Sequence, residues 1–312
     1  MLHVGSWEQE FLAWVTSGQG PIWNALAGIF TFMGTEDFFL LVIPAVFWTV
    51  SRKTGIQLFY VLMVTLFVNI ILKDGLGVAR PVGVEGVHSR EIESAMVDSH
   101  YPNDSFPSFH AQSAAALFGF MALAVRRRWA WWMAAVLTAL VALSRLYNGL
   151  HWPTDVLGGI ALGALTVVVA RYAAPAMESR PIAFKAAAVG VFAALMAFFL
   201  GNVGTKVSGA LLGGGLGHLL EASVTELDPK RGKLPRKVLA IVIGFVGILV
   251  LRVGLKAAFP SGPVWDWLRY VLIGFWAFGL APIMFVRAKL LQGARTSPSD
   301  SFNPSPPAPP VD

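Results

Sequence analysis

Long apolar runs separated by clusters of charge dominate the chain. A helix needs roughly 20 apolar residues to cross the hydrocarbon core of a bilayer. Runs that approach this length occupy 55–71, 108–125, 129–143, 156–169, 184–201, 238–253 and 267–286. Two shorter runs, 22–33 and 38–50, are separated by Gly34, Thr35, Glu36 and Asp37, and Pro44 is expected to kink the second. A further run, 207–220, is rich in glycine. Residues 7–15 predict a short interfacial helix, because Gly18, Gly20 and Pro21 interrupt it before the first span. That segment lacks the basic start and small-residue cleavage site of a signal peptide. The pattern predicts an all-α, polytopic transmembrane helical bundle of about ten spans, counting the glycine-rich run.

Composition sharpens this picture. The chain is 55% hydrophobic but only 13% charged, with a mean hydropathy of +0.63. A soluble domain carries about a quarter charged residues, so a soluble enzyme is excluded, as are disordered and collagen-like chains. Cysteine is absent, which removes disulfides and thiolate metal sites. The excess of 24 basic over 18 acidic residues marks cytoplasmic loops rather than a nucleic-acid partner. The basic clusters are Arg52–Lys53, Arg126 to Arg128, 171–185, 230–237 and 287–295, and the loops between them are poor in positive charge. This alternation requires 207–220 to cross, and it leaves 74–106 on the outer face as a long loop.

Three polar clusters fall at the outer helix ends of that topology: Lys73 with Arg80-Pro81; Pro107-Ser108-Phe109-His110; and Ser144-Arg145 with His151 and Asp155. Ionisable groups at membrane depth are costly and mark function. Lys73, Arg80 and Arg145 suit a multiply charged oxyanion, with Asp74 the only acid immediately beside any of them in sequence. Ser108 at a helix start adds a hydroxyl to outward-pointing backbone N–H groups. Asp155 stands four residues after His151, where a carboxylate can hold an imidazole N–H and leave the other nitrogen nucleophilic. His110 is then available to protonate a leaving group.

These residues, in this order and spacing, resemble the three-part signature of the type 2 phosphatidic acid phosphatase superfamily, over the block from about Lys73 to Asp155. The resemblance implies a six-helix membrane core and metal-independent, cofactor-free hydrolysis of a phosphate ester or anhydride. In it, His151 is the nucleophile that becomes phosphohistidine, Asp155 polarises it and His110 protonates the leaving group. Lys73, Arg80, Ser108, Arg145 and backbone amides near Phe109 bind the phosphate. One departure is Phe109, where the family usually has Gly; the backbone N–H survives, but the ring takes up space. The implied substrate is a lipid phosphate or pyrophosphate, either an isoprenyl diphosphate or a phospholipid phosphate, handled at the periplasmic or extracellular side of the cell membrane. The expected layout is an interfacial helix at 1–20, the phosphatase core at 21–176, a C-terminal membrane extension at 177–290 and a disordered Ser/Pro-rich tail at 291–312.

Two other readings use the same residues: a phosphotransferase passing the phosphoryl group to an alcohol, and a lipid transporter that binds the anion without turnover. A vanadate-dependent haloperoxidase ranks last, since soluble helices would be expected. Outside the three clusters, His88, His100 and the loop acids, Asp104 among them, lack a metal-ligand spacing and read as a solvated loop. Asn103-Asp104-Ser105 matches a glycosylation sequon. Gly213, Gly214, Gly215 and Gly217 read as close helix packing or a broken helix rather than a phosphate cradle, and His218, Glu221 and Glu226 as interfacial, with a second site as the alternative.

Overall fold

The computed structural model describes residues 6–90 and 103–295. A short helix, α1 (Ser6–Ser17), precedes α2 (Pro21–Phe32), α3 (Glu36–Thr49) and α4 (Arg52–Leu76). After the long loop come α5 (Phe109–Val125), α6 (Arg128–Tyr147), α7 (Pro153–Glu178), α8 (Ile182–Phe199) and α9 (Gly201–Val224). The chain ends in α10 (Leu234–Ala258) and α11 (Pro263–Phe275), which runs through a π turn (Trp276–Leu280) into α12 (Ala281–Arg287). The strands β1 (Leu227–Asp228) and β2 (Gln292–Gly293) pair antiparallel.

Six of the described helices are long and apolar enough to cross a membrane, or seven spans when α2 and α3 count as one bent by 53°. The expected count of about ten is not reached among the described helices: α2 and α3 make one bent pair, α5 is shorter, and the glycine-rich α9 is not among the six. The runs 22–33 and 38–50 form one bent pair rather than two separate spans, and its break, between Phe32 and Glu36, falls at the separation expected around Gly34 to Asp37. Pro44 sits inside an uninterrupted α3, whose start is set by the Thr35 hydroxyl accepting from the Phe38 N–H at 3.3 Å. Helix α5, at 17 residues, is a shorter apolar helix at the low end of spanning length.

Helix α4, 25 residues long, reaches about 37 Å at 1.5 Å per residue, so Arg52 and Lys73 lie at opposite ends of the bundle. The Ser51 hydroxyl caps its start, and Gly77, at φ 57°, ends it in a left-handed turn just past Lys73. The glycine-rich run becomes the continuous α9, which traverses the bundle: Lys206 near its start faces Asp266 at the start of α11, while Glu221 near its end binds Arg52 at 2.6 Å. Arg52 with Glu221, Lys53 with Glu178 and Lys237 with the Thr49 carbonyl therefore gather basic loop residues at the end away from Lys73.

Glycine lets α9 and α11 run side by side in contact. A Cβ on Gly209 would stand 2.5 Å from the Trp267 carbonyl oxygen, and one on Gly213 only 2.0 Å from that of Val271. Gly217 meets Gly279 in the same way. The extension grips the core through Trp48, whose indole N–H donates to the Ala277 carbonyl at 2.7 Å and whose ring lies against Gly244. Glu221 is fully buried rather than interfacial, because Arg52, Thr225 and the Leu227 N–H all donate to it. Arg252 pairs with Asp37 at 3.0 Å and Arg269 with Asp266 at 2.6 Å. The chain stays ordered past 291, since Leu291 is buried and β2 follows; the rest of the expected tail, 296–312, lies outside the described residues.

Candidate active site

Four helix ends meet on the side of the bundle that Arg52 does not reach. They are the C-terminal turns of α4 and α6, carrying Lys73 and Arg145, and the first turns of α5 and α7, carrying His110 and Asp155. Close approach of α5 and α7 makes this possible. A Cβ on Gly159 would lie 2.6 Å from the Ser108 carbonyl oxygen, and one on Gly163 would lie 2.3 Å from that of Gln112. The Ser108 N–H donates to the Asp155 carbonyl at 3.0 Å, locking the start of α5 to that of α7. Asn69 on α4 joins the same frame, donating to the Pro107 carbonyl at 3.1 Å and to Gln112 at 2.8 Å.

Lys73, Arg80, Ser108, His110, Arg145, His151 and Asp155 are all buried, and Phe109 is half-buried. Arg80 reaches the loop before α7 by donating to the Leu150 carbonyl at 3.3 Å. That loop turns at Gly149, φ 62°, where a Cβ would also meet Ser89. Four buried polar atoms here have no hydrogen-bond partner among the described residues: Ser108 Oγ, His110 Nε2, and Nε and Nη1 of Arg145. Buried donors left unpaired are costly. A guanidinium edge, a hydroxyl and an imidazole nitrogen beside the unbonded first-turn N–H groups of α5 form a donor set for an oxyanion. The expected alternative of an Arg145–Asp155 ion pair is not found among the described residues.

The imidazole of His151 is held differently from the expectation. Its Nδ1 lies 2.9 Å from the Ser105 carbonyl oxygen but 3.6 Å from Asp155 Oδ2. A carbonyl can only accept, so Nδ1 carries the proton and Nε2 keeps its lone pair. Asp155 instead accepts from the Ser105 hydroxyl at 2.5 Å and from the Trp152 N–H at 2.7 Å. Its carboxylate is therefore linked to the ring through Ser105 rather than by a direct hydrogen bond. Burial pushes the His151 pKa well below the ordinary imidazole value, and the positive charges of Arg80, Arg145 and Lys73 push the same way. Both effects favour the neutral form of the ring.

Two further residues escaped the sequence reading. Asp104, expected in a solvated loop, is fully buried, and its carboxylate takes Arg80 Nε at 2.6 Å, Arg80 Nη2 at 2.8 Å and Lys73 Nζ at 3.3 Å. It is thus an acid set on those cations, from a loop position that no motif spacing marked. Glu8 of α1 is also buried and accepts from the N–H of Thr154 at 3.0 Å and its hydroxyl at 2.8 Å. Helix α1 thus binds the first turn of α7, with Leu12 packed among Val87, Leu146 and Trp152. The Phe109 ring packs on the hydrophobic core and meets His110 edge-on at 6.3 Å, while Gly34 lies directly against the His110 side chain. Of the other loop candidates, Glu91, Glu93, Asp98 and His100 lie outside the described residues. Among the described residues, no group of three or more His, Asp or Glu side chains could hold a metal ion.

Comparison with known proteins matches residues 54–177 to the PAP2 superfamily and residues 205–295 to the PAP2 superfamily phosphatase, transmembrane extension. Human sphingosine-1-phosphate phosphatase 2 is 28% identical over 143 residues, covering 44% of this chain and 34% of that protein. The chain thus spans about a third of the length of that relative. Escherichia coli (strain K12) putative undecaprenyl-diphosphatase YbjG is 32% identical over 128 residues, covering 40% of this chain and 61% of that protein. Phosphatidylglycerophosphatase B of Bacillus subtilis (strain 168) is 31% identical over 155 residues, covering 46% of this chain and 70% of that protein. Matched in both its helical core and its C-terminal extension, and over most of a bacterial relative's length, this multi-pass membrane chain belongs to the PAP2 superfamily.

Proposed function

We propose that the chain is a membrane lipid phosphatase that releases orthophosphate from a lipid phosphate or pyrophosphate through a phosphohistidine on His151. The observation that carries this reading is the set of unpartnered buried donors on Ser108, His110 and Arg145, beside a neutral imidazole whose Nε2 lone pair is free. The names of its relatives, all lipid phosphatases, agree with it. In the first step, His151 Nε2 attacks phosphorus while the bond to the leaving oxygen breaks, and His110 delivers a proton to that oxygen. Arg145, Ser108, Lys73, Arg80 and the first N–H groups of α5 hold the non-bridging oxygens. Water then attacks phosphorus, gives its proton to His110, and frees His151 with orthophosphate. The positive charge that the ring gains on phosphorylation is offset by Asp155.

The separation of this site from the basic loop clusters supports an outward-facing orientation. The lipid tail stays in the bilayer while the headgroup reaches the helix ends. The test is phosphate release in detergent, with chelator present, from a panel of monophosphate and diphosphate lipids. Release by the wild-type chain and none by His151→Ala is expected; release that chelator abolishes, or that His151→Ala retains, overturns the mechanism. Adding a labelled alcohol acceptor to the same assay reads out phosphotransfer, and lipid flipping retained by His151→Ala reads out a transporter.

A further inference from the structure

The phosphate-binding cations carry an anion of the chain's own. Asp104 is fully buried and grips Arg80 in a two-point fork, with Lys73 on the same oxygen as Arg80 Nη2. Its neighbour Ser105 holds both Asp155 and His151, so the segment that carries Asp104 is fixed to the reacting groups. Its backbone is fixed as well, through the Ser105 N–H bonded to the Val78 carbonyl at 2.9 Å. The other half of the donor set, Arg145, Ser108 and His110, has no such partner among the described residues. Positive charge in the pocket is therefore divided: one part is matched internally, and the rest awaits the ligand.

We propose that Asp104 is a specificity-determining residue that sets how much negative charge the pocket accepts. It holds Lys73 and Arg80 in place while cancelling about one unit of their charge, in a site where low polarisability magnifies each unit. A phosphate monoester, with up to two negative charges, makes the smaller demand on what remains. A diphosphate headgroup, with up to three, meets a carboxylate close to its extra charge. The same carboxylate repels the orthophosphate product and so speeds its departure. A residue that merely filled space would do neither.

This inference rests on the phosphate reading of the site, and its test is read by anion binding as well as by turnover. With Asp104→Asn, the inhibition constant of inorganic orthophosphate is expected to fall about tenfold. The ratio of kcat/KM for an isoprenyl diphosphate to that for a monophosphate of the same chain should rise by a similar factor. Asp104→Glu, which keeps the charge, should hold the ratio near that of the wild type. Unchanged or weaker orthophosphate binding in Asp104→Asn, or an unchanged ratio, overturns the proposal. If the Asn variant does not fold, Asp104→Ser serves instead. The wild-type chain supplies a separate check in detergent: orthophosphate should raise its melting temperature at lower concentration than pyrophosphate, and the reverse order is also fatal. A wild type that releases no phosphate from any lipid, yet shows this protection, would defeat the phosphatase reading and leave the charge-setting role standing.

Discussion

The hydrogen-bond order around His151 gives a graded prediction. Asp155 Oδ2 lies 3.6 Å from His151 Nδ1 and bonds the Ser105 hydroxyl instead. A full carboxylate charge at that separation stabilises a positive ring by about 4–5 kcal/mol at an effective dielectric constant near 20. Asp155→Asn keeps the size and an acceptor oxygen but loses that charge, so kcat should fall ~10³-fold. Ser105→Ala removes one hydrogen bond to a charged group, about 1.5–3 kcal/mol, but leaves the Ser105 carbonyl on Nδ1, so kcat should fall ~10- to 100-fold. His151→Ala should leave no measurable turnover. The assay is phosphate release at saturating lipid, with quench-flow capture of the acid-labile phosphoenzyme to separate its formation from its hydrolysis. If Ser105→Ala matches the wild type, or Asp155→Asn loses no more than Ser105→Ala does, the indirect arrangement is wrong. Asp155 would then act either directly on the ring or not at all.

Other outcomes follow from the same structure. Because burial and three nearby cations depress the His151 pKa, loss of activity through its protonation should begin only well below pH 6.5, the ordinary imidazole value of about 6.5 being the reference. Lys73→Met removes one of those charges and should move the acid limb of kcat/KM upward; a downward shift would contradict the assignment. Arg145→Lys replaces two unpartnered, planar donors with a single point charge, and should cost about 10- to 100-fold in kcat/KM; near-wild-type turnover would remove Arg145 from the phosphate site. Gly213→Ala places a methyl group against the Val271 carbonyl and should destabilise the detergent-solubilised protein by about 1–3 kcal/mol, read as a lowered melting temperature. Gly190→Ala, which meets nothing within 4 Å, is its control.

Lys73, Arg80, Ser108, His110, Arg145, His151 and Asp155 could be picked out because ionisable groups at helix ends stand out against a lipid-soluble background, and their motif spacing is local. The apolar runs likewise disclosed the helices, since burying a backbone in lipid demands that each segment satisfy its own hydrogen bonds. The glycines of α9 could be read as packing residues, but not the partner they pack on. What linear order could not reveal was which groups far apart in the chain would share a hydrogen bond. Asp104 reads as one loop acid among several, yet folding buries it on Arg80 and Lys73. The i, i+4 spacing of His151 and Asp155 suggests direct contact, yet a Ser105 carbonyl from another segment reaches the ring first. Glu8, 146 residues away from Thr154, caps the helix that Asp155 opens. Composition and periodicity determine which segments enter the membrane, because transfer free energy adds up along the chain. Partners for charges are decided by distances of about 3 Å, which only the packed helices define.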